Sequence, residues 1–140
     1  MKHEQLIIYS DGGSRGNPGP AAYGFVIKTP DNDTIFEHGE YIGITTNNVA
    51  EYTGVLKATE WISKNHPNVL SLSIIVDSEL VARQMSGIYK IKNENLKRYY
   101  LQIKSLEKNI SGKISYTSVP RAENKHADSL VNKALDTLLA

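Results

Sequence analysis

The chain has 140 residues, the size of one ordinary domain, and we predict a single domain over residues 1–140. Its 40% hydrophobic and 22% charged residues are typical of a globular protein, and no apolar run reaches the roughly 20 residues of a membrane helix. The absence of cysteine excludes disulfides, thiolate zinc sites and cysteine nucleophiles, and it fits a cytoplasmic location. The net charge is +1, but the charged residues are distributed unevenly along the chain.

The apolar pattern predicts nine elements. Three strands come first, predicted to form an antiparallel meander: Gln5–Ser10, Ala22–Lys28 and Thr34–Ile42. Apolar residues then recur at helical spacing over Thr45–Asn65. A strand, two helices, a strand and a last helix are predicted to follow: Leu70–Val76, Ser78–Ser86, Asn93–Lys108, Lys113–Val119 and Glu123–Leu139. This order predicts an α/β fold with a mixed sheet flanked by helices.

The stretch SDGGSRGNPGP, residues 10–20, lies between the first two predicted strands. It lacks the Gly-Lys-Ser/Thr of a P-loop, its glycines miss the G-x-G-x-x-G spacing, and no helix follows it. Asp11 stands where the first strand is predicted to end, with glycines that allow another backbone or a ligand to approach. Asp11 is therefore either a turn-initiating aspartate or a carboxylate held at a site.

The stretch TTNNVAEYTG, residues 45–54, begins the first predicted helix. Asn48 is a suitable N-cap, and Glu51 follows it at the spacing of a capping box. The second Thr and second Asn before the helix are not explained by capping. Amide side chains both donate and accept hydrogen bonds, which suits them to base edges and 2′-hydroxyls.

Two further acids stand at element junctions. Asp77 follows an apolar strand directly, so it is either the N-cap of the next helix or a ligand-binding group at the carboxyl edge of the sheet. Asp128 lies in the first turns of the last helix, where the helix dipole alone favours an acid. Taken singly, Asp77 and Asp128 each have an ordinary structural interpretation, as do Asp11 and Glu51.

The four acids together indicate a metal site. If the first and fourth strands are adjacent and parallel, Asp11 and Asp77 lie side by side, and the helices can bring Glu51 and Asp128 to the same edge. Two carboxylates ~4 Å apart repel by about 4 kcal/mol at an effective dielectric constant of 20. Divalent cations relieve that repulsion, and oxygen ligands without cysteine favour Mg²⁺ or Mn²⁺. Two such ions can clamp the attacking and leaving oxygens of a phosphoryl displacement.

Charge is distributed unevenly along the chain. Residues 90–125 carry nine Lys and Arg against three Glu, whereas residues 1–89 carry six bases against ten acids. The basic part suggests contact with a polyanion, and the alternative is a solvated helix face.

Four motifs in this order resemble those of type 1 ribonucleases H: YSDGGSRGNPGPAAYG, TTNNVAEYTG, IIVDSELV and RAENKHADSLVNKA. The resemblance covers about residues 5–138 and implies a ribonuclease H-like fold, with a mixed five-stranded sheet and helices on both faces. It implies endonucleolytic cleavage of the RNA strand of RNA/DNA hybrids, giving 3′-hydroxyl and 5′-phosphate ends. The residues that match the family's metal-binding carboxylates are Asp11, Glu51, Asp77 and Asp128, with two Mg²⁺ ions expected and Asp11 bridging them.

The resemblance also implies substrate contacts. The positions matching RNA or minor-groove contacts are Gly12, Asn17, Asn47 and Asn48, and Thr46 matches a position that holds a DNA phosphate. Many relatives carry a histidine in a longer loop before the last aspartate. Here the loop is short and its polar member is Arg121, whereas His126 is too near Asp128 to be its equivalent, so both are only possible auxiliaries. Alternatives are cleavage of double-stranded RNA as well, or a non-catalytic nucleic-acid-binding module; a monomer without protein partners is expected.

Overall fold

A computed structural model describes the backbone of residues 4–139 and the side chains of residues 4–138. The elements follow the predicted order, with one additional short 3₁₀ helix at Arg121–Glu123. The strands are β1 (Gln5–Ser14), β2 (Gly19–Lys28), β3 (Thr34–Thr45), β4 (Ser71–Val76) and β5 (Lys113–Ser118). The helices are α1 (Asn47–Asn65), α2 (Glu79–Met85), α3 (Glu94–Glu107) and α4 (Lys125–Leu139).

The five strands form one mixed sheet in the order β3-β2-β1-β4-β5. Strands β1, β2 and β3 pair antiparallel as the predicted meander, and β4 pairs in parallel with both β1 and β5. The predicted fold class is confirmed. Strand β1 is central and parallel to β4, so the carboxyl ends of β1 and β4 lie at the same edge.

Helices cover both faces of the sheet. Tyr23 and Ala22 are neighbours in β2, so their side chains point to opposite faces. Tyr23 lies in the main core, where α1 and α3 contribute fully buried residues such as Tyr52 and Ile103. On the other face, Ala22 packs against Val131 and its neighbours in α4. Helix α1 therefore approaches the edge formed by the carboxyl ends of β1 and β4 from one face of the sheet, and α4 approaches it from the other.

Strand β1 is longer than predicted. It leaves β4 after the pair Tyr9↔Ile75 but continues to pair with β2 as far as Ser14↔Ala21. The turn between β1 and β2 is consequently only residues 15–18. The predicted strand end at Ser10 was wrong, because pairing with β2 holds the glycine-rich residues in an extended conformation.

The helix ends also differ from the prediction by a few residues. Helix α1 begins at Asn47 rather than Thr45, because Thr46 has extended backbone angles. The predicted helix from Glu123 is a 3₁₀ turn followed by α4, separated by Asn124 at φ −125°. No helix in the described part of the chain has the length and hydropathy needed to cross a bilayer.

Candidate active site

Strands β1 and β4 bring two of the predicted acids to the same edge. The last residue pair between these strands is Tyr9↔Ile75, and Asp11 and Asp77 each lie two residues beyond it. Asp11 is only 6% exposed, and the Asp77 side chain is 11% exposed. The register of a parallel pair therefore places two largely buried carboxylates side by side.

Two helix-capping interpretations are wrong. Thr46, not Asn48, is the N-cap of α1, and its hydroxyl accepts a backbone N–H at 3.2 Å. Glu51 is therefore beyond the first turn and outside the capping-box position. Ser78, not Asp77, is the N-cap of α2, where its hydroxyl accepts a backbone N–H at 3.2 Å. Neither Glu51 nor Asp77 is explained by helix capping.

Helix α1 brings Glu51 to β1 through a close backbone contact. A Cβ atom at Gly12 would stand 2.3 Å from the carbonyl carbon and oxygen of Ala50, so only glycine permits this approach. Glu51 follows Ala50 in α1, just as Gly12 follows Asp11 in β1. The glycine beside Asp11 thus sets the distance between the strand and the helix that carries Glu51.

Helix α4 brings Asp128 to the same edge from the opposite face. Asp128 lies in the first turn, and its N–H donates to the carbonyl of Asn124 at 3.1 Å. Asn124 is 1% exposed, and its Nδ2 donates to the carbonyl of Ser10 at 2.9 Å. A Cβ atom at Gly24 would lie 2.7 Å from the Leu130 Cβ, so this glycine lets α4 pack closely on β2. These contacts hold the start of α4 against the end of β1.

The four acids line one cavity of about 440 Å³. Its lining includes Asp11, Glu51, Asp77 and Asp128. Four of the predicted substrate-contacting residues also line it: Gly12, Asn17, Asn47 and Asn48. Thr46 does not line the cavity and instead caps α1.

Burial and mutual repulsion raise the pKa values of the clustered carboxyls. Burial, followed by the negative charge of Asp77, raises the pKa of Asp11 to about 8. Burial and the charge of Asp77 also raise the pKa of Glu51 to about 7. Burial raises the pKa of Asp77 as well, although the positive charge of Arg121 opposes this increase. The ionised cluster is therefore costly unless a cation is present.

The donor set fits a divalent cation of the Mg²⁺ type. Oδ2 of Asp77 is buried and has no hydrogen-bond partner within residues 4–138, and the Nε of Arg121 lies 3.9 Å away, too far for a hydrogen bond. A buried carboxylate oxygen that lacks a partner is a suitable ligand for a hard cation. Within the described residues, no three His, Asp or Glu side chains already form a complete metal-binding group. The cavity thus offers oxygen ligands rather than a closed cage.

The two possible auxiliary residues lie in different places. Arg121 lines the cavity and stands beside Asp77. His126 is absent from the cavity lining, and its Nε2 pairs with the carboxylate of Glu37 on β3 at 2.5 Å. Of the two, only Arg121 shares the cavity with the acids.

Three polar residues of this lining were missed in the sequence. Asn132 also lines the cavity, and its Nδ2 donates to Oδ2 of Asp128 at 3.3 Å. Its position one helical turn after Asp128 was a usable signal. Ser14 and Arg15 line the cavity too, within the glycine-rich stretch that follows Asp11.

Comparisons with known proteins agree with this geometry. A sequence model of the family described as RNase H matches residues 3–136. A ribonuclease HI of Halobacterium salinarum is 40% identical over 132 residues, covering 94% of this chain and 65% of that protein. The crystal structure of LC11-RNase H1 in complex with an RNA/DNA hybrid is 40% identical, with a TM-score of 0.92, and covers 96% of this chain and 99% of that chain.

Some relatives are much longer than this chain. A bifunctional protein of Mycobacterium tuberculosis is 43% identical over 133 residues, which cover 94% of this chain and 36% of that protein. The chain thus spans about a third of the length of that mycobacterial relative and 65% of the haloarchaeal one. The similarity to both extends over nearly the whole of this chain.

Proposed function

The chain belongs to the ribonuclease H family, and from this premise we propose that it hydrolyses the RNA strand of RNA/DNA hybrids, leaving 3′-hydroxyl and 5′-phosphate ends. The observation that carries the proposal is the single cavity lined by Asp11, Glu51, Asp77 and Asp128. These residues come from β1, α1, the end of β4 and α4. The hybrid bound by the LC11 enzyme, at 40% identity, supports the choice of substrate.

The four carboxylates would hold two Mg²⁺ or Mn²⁺ ions. When bound, such ions activate a water molecule for attack on phosphorus and stabilise the leaving oxygen. The raised pKa values of Asp11 and Glu51 support this role, because burial and then the charge of Asp77 make their ionised forms costly without a cation. The buried oxygen of Asp77 supports it as well, because it has no hydrogen-bond donor among the described residues and can bind a cation. The protein's own contribution is to fix the carboxylates at one edge of a rigid sheet.

The amide residues beside the carboxylates would bind the hybrid. Asn17, Asn47 and Asn48 line the cavity, and amides can hydrogen-bond to 2′-hydroxyls and to base edges. A duplex containing RNA presents these groups in a wide, shallow minor groove. Recognition of this kind selects an RNA-containing strand without reading a particular base sequence.

Replacement of Asp11 by asparagine tests the catalytic proposal. Asp11→Asn keeps the size of the side chain but removes one carboxylate oxygen and its charge, so we expect the rate of Mg²⁺-dependent hybrid cleavage to fall at least about 100-fold. Labelled RNA/DNA hybrid, double-stranded RNA and double-stranded DNA would be incubated with Mg²⁺ or Mn²⁺, and products separated by gel.

The matched control is Asp31→Asn, which changes an exposed aspartate in the turn before β3 and should leave cleavage unchanged. Undiminished cleavage by Asp11→Asn would refute the catalytic assignment. Binding of the hybrid without cleavage by the wild-type protein would instead indicate a non-catalytic module. Cleavage of double-stranded RNA alongside the hybrid would widen the substrate range while keeping the same site.

A further inference from the structure

Arg15 stands in the turn between β1 and β2 and lines the same cavity as the four acids. Among the described residues in that lining, the basic ones are Arg15 and Arg121. Arg121 lies beside the carboxylate of Asp77. Arg15 therefore supplies a positive charge at another part of the cavity, where a polyanion would otherwise meet mainly acids.

The backbone around Arg15 is held firmly. The Arg15 N–H donates to the carbonyl of Pro20 at 2.9 Å, and a Cβ atom at Gly19 would lie 2.1 Å from the Arg15 carbonyl oxygen. The preceding N–H, that of Ser14, donates to Oδ1 of Asn47 on α1 at 2.8 Å. The arginine thus projects from a compact turn attached to the first turn of α1.

Among the described residues the guanidinium has one hydrogen-bond partner, and it has spare donors. Its Nη2 donates to Oδ1 of Asp136 at 2.6 Å, and the side chains of Arg15 and Asp136 are 38% and 67% exposed. A guanidinium has five N–H donors in a planar fork that suits phosphate, so most of its donors remain available for a ligand. An exposed ion pair of this kind contributes little to stability.

The position of Asp136 also indicates how far Arg15 lies from the acids. Asp136 follows Asp128 by eight residues in α4, which corresponds to about 12 Å along the helix axis. An arginine bonded to Asp136 is too far from the Asp128 end of the helix to share a phosphate with the carboxylates. It can instead contact a phosphate farther along a bound duplex.

We propose that Arg15 is a substrate-contacting residue that binds a backbone phosphate other than the one being hydrolysed. The inference rests on the proposed function, because it assumes a nucleic-acid duplex in this cavity. The proposed contact contributes to binding rather than to chemistry, so loss of the Arg15 guanidinium should raise KM and leave kcat unchanged.

Two variants that break the same ion pair provide the test. Arg15→Gln removes the guanidinium, whereas Asp136→Asn removes its partner and leaves the guanidinium in place. Hybrid binding would be measured by fluorescence anisotropy in EDTA over a series of salt concentrations, and steady-state cleavage would be measured separately in Mg²⁺. Arg15→Lys, which keeps the charge but not the fork, serves as the conservative variant.

For Arg15→Gln we expect KM and Kd to rise roughly three- to tenfold, with kcat unchanged. The slope of log K against log salt should become shallower by roughly 0.7–0.9, the value for one phosphate contact. Asp136→Asn should bind at least as tightly as wild type, and Arg15→Lys should lie between wild type and Arg15→Gln. Equal effects of Arg15→Gln and Asp136→Asn, or an unchanged salt slope in Arg15→Gln, would overturn the inference, because the ion pair would then have only a structural role.

Neutral methylphosphonate linkages, introduced singly along the RNA strand or the DNA strand, identify the strand that is contacted. A neutral linkage at the contacted phosphate should weaken binding by wild type but not by Arg15→Gln. If no linkage in either strand shows this coupling, the inference is wrong. If the wild-type protein neither binds nor cleaves the hybrid, the proposed function itself fails, and that outcome is distinct from a failure confined to Arg15.

Discussion

Asp77 has a buried carboxylate oxygen with no hydrogen-bond partner in the described part of the chain, and its side chain is exposed to the negative charge of Asp128. Its pKa is raised chiefly by burial, even though Arg121 favours the ionised form. A raised pKa means that the ionised carboxylate is less favourable in the folded protein than in the unfolded chain. In the absence of metal, this residue should therefore reduce the stability of the fold.

Asp77→Asn should stabilise the metal-free protein while removing its activity. The substitution keeps the shape of the side chain but eliminates a buried negative charge beside Asp11, so we expect the free energy of unfolding to increase by about 1 kcal/mol. Hybrid cleavage in Mg²⁺ should fall at least about 100-fold. Urea unfolding in EDTA at pH 7, followed by circular dichroism, measures the first effect.

The exposed Asp31→Asn provides the comparison and should change neither stability nor cleavage. A metal-free Asp77→Asn protein less stable than wild type would contradict this account, since it would mean that Asp77 stabilises the fold as an ordinary ion-pair partner of Arg121.

At the scale of elements, α3 is attached to its neighbours by a compact polar cluster. The Nζ of Lys104 donates to the carbonyl of Met85 at the end of α2 at 2.8 Å and pairs with the carboxylate of Glu107 at 3.3 Å. The hydroxyl of Tyr116 on β5 donates to the other oxygen of Glu107. Burial, and then the charge of Glu107, raise the pKa of Tyr116 well above 10. The cluster connects α2, α3 and β5.

Tyr116→Phe should lower the free energy of unfolding at pH 7 by about 1–2 kcal/mol, because Glu107 loses a buried hydrogen-bond donor. The loss of stability caused by Tyr116→Phe should become smaller at high pH. The folded-state pKa of Tyr116 lies above the unfolded value of 10, so its contribution is complete below pH 10 and decreases as the pH rises beyond it. Urea unfolding at pH 7, 9 and 10.5 measures the difference between wild type and variant.

That difference should be constant between pH 7 and pH 9 and smaller at pH 10.5. Tyr89→Phe, at a tyrosine that is 46% exposed, should have little effect throughout. A difference that grows above pH 10 would show that Tyr116 ionises more readily in the folded protein than in the unfolded chain.

Element types and order were predictable from the sequence, whereas their ends were not. Apolar residues at helical spacing, such as Tyr52 and Ile62, are buried in α1 as predicted. The end of β1 depends on pairing with β2, and the glycines after Asp11 carry no pattern that reveals such pairing. In TTNN, all four residues are of types that can cap a helix, and only the extended backbone of Thr46 identifies the actual cap.

At the scale of the whole molecule, the clustering of the acids depends on strand order. The sequence pattern alone left open whether β1 and β4 are neighbours, and the resemblance to ribonucleases H pointed to the four acids without giving the strand order. The order β3-β2-β1-β4-β5 now places Asp11 and Asp77 at the same edge. The hydrogen bond from Asn124 that holds the start of α4 against β1 was not predictable, because it joins Asn124 to Ser10, 114 positions apart in the chain.

Because the four acids come from separate parts of the chain, binding of a divalent ion should stabilise the whole fold. An ion at ten times its Kd, bound only by the folded state, adds about 1.4 kcal/mol to the free energy of unfolding. We therefore expect Mg²⁺ or Mn²⁺ to raise the melting temperature of the wild-type protein relative to NaCl at equal ionic strength. Differential scanning calorimetry over a series of MgCl₂ concentrations measures this increase and gives an apparent Kd.

The same titration on Asp77→Asn separates binding at the cavity from binding elsewhere. This variant begins from a more stable metal-free state but should gain less from Mg²⁺, because one of the four carboxylates has been replaced. Asp31→Asn should gain as much as wild type. An equal gain in Asp77→Asn and wild type would place the stabilising ion outside the cavity. A smaller gain in Asp77→Asn alone would show that the same carboxylate that destabilises the metal-free protein also binds the stabilising ion.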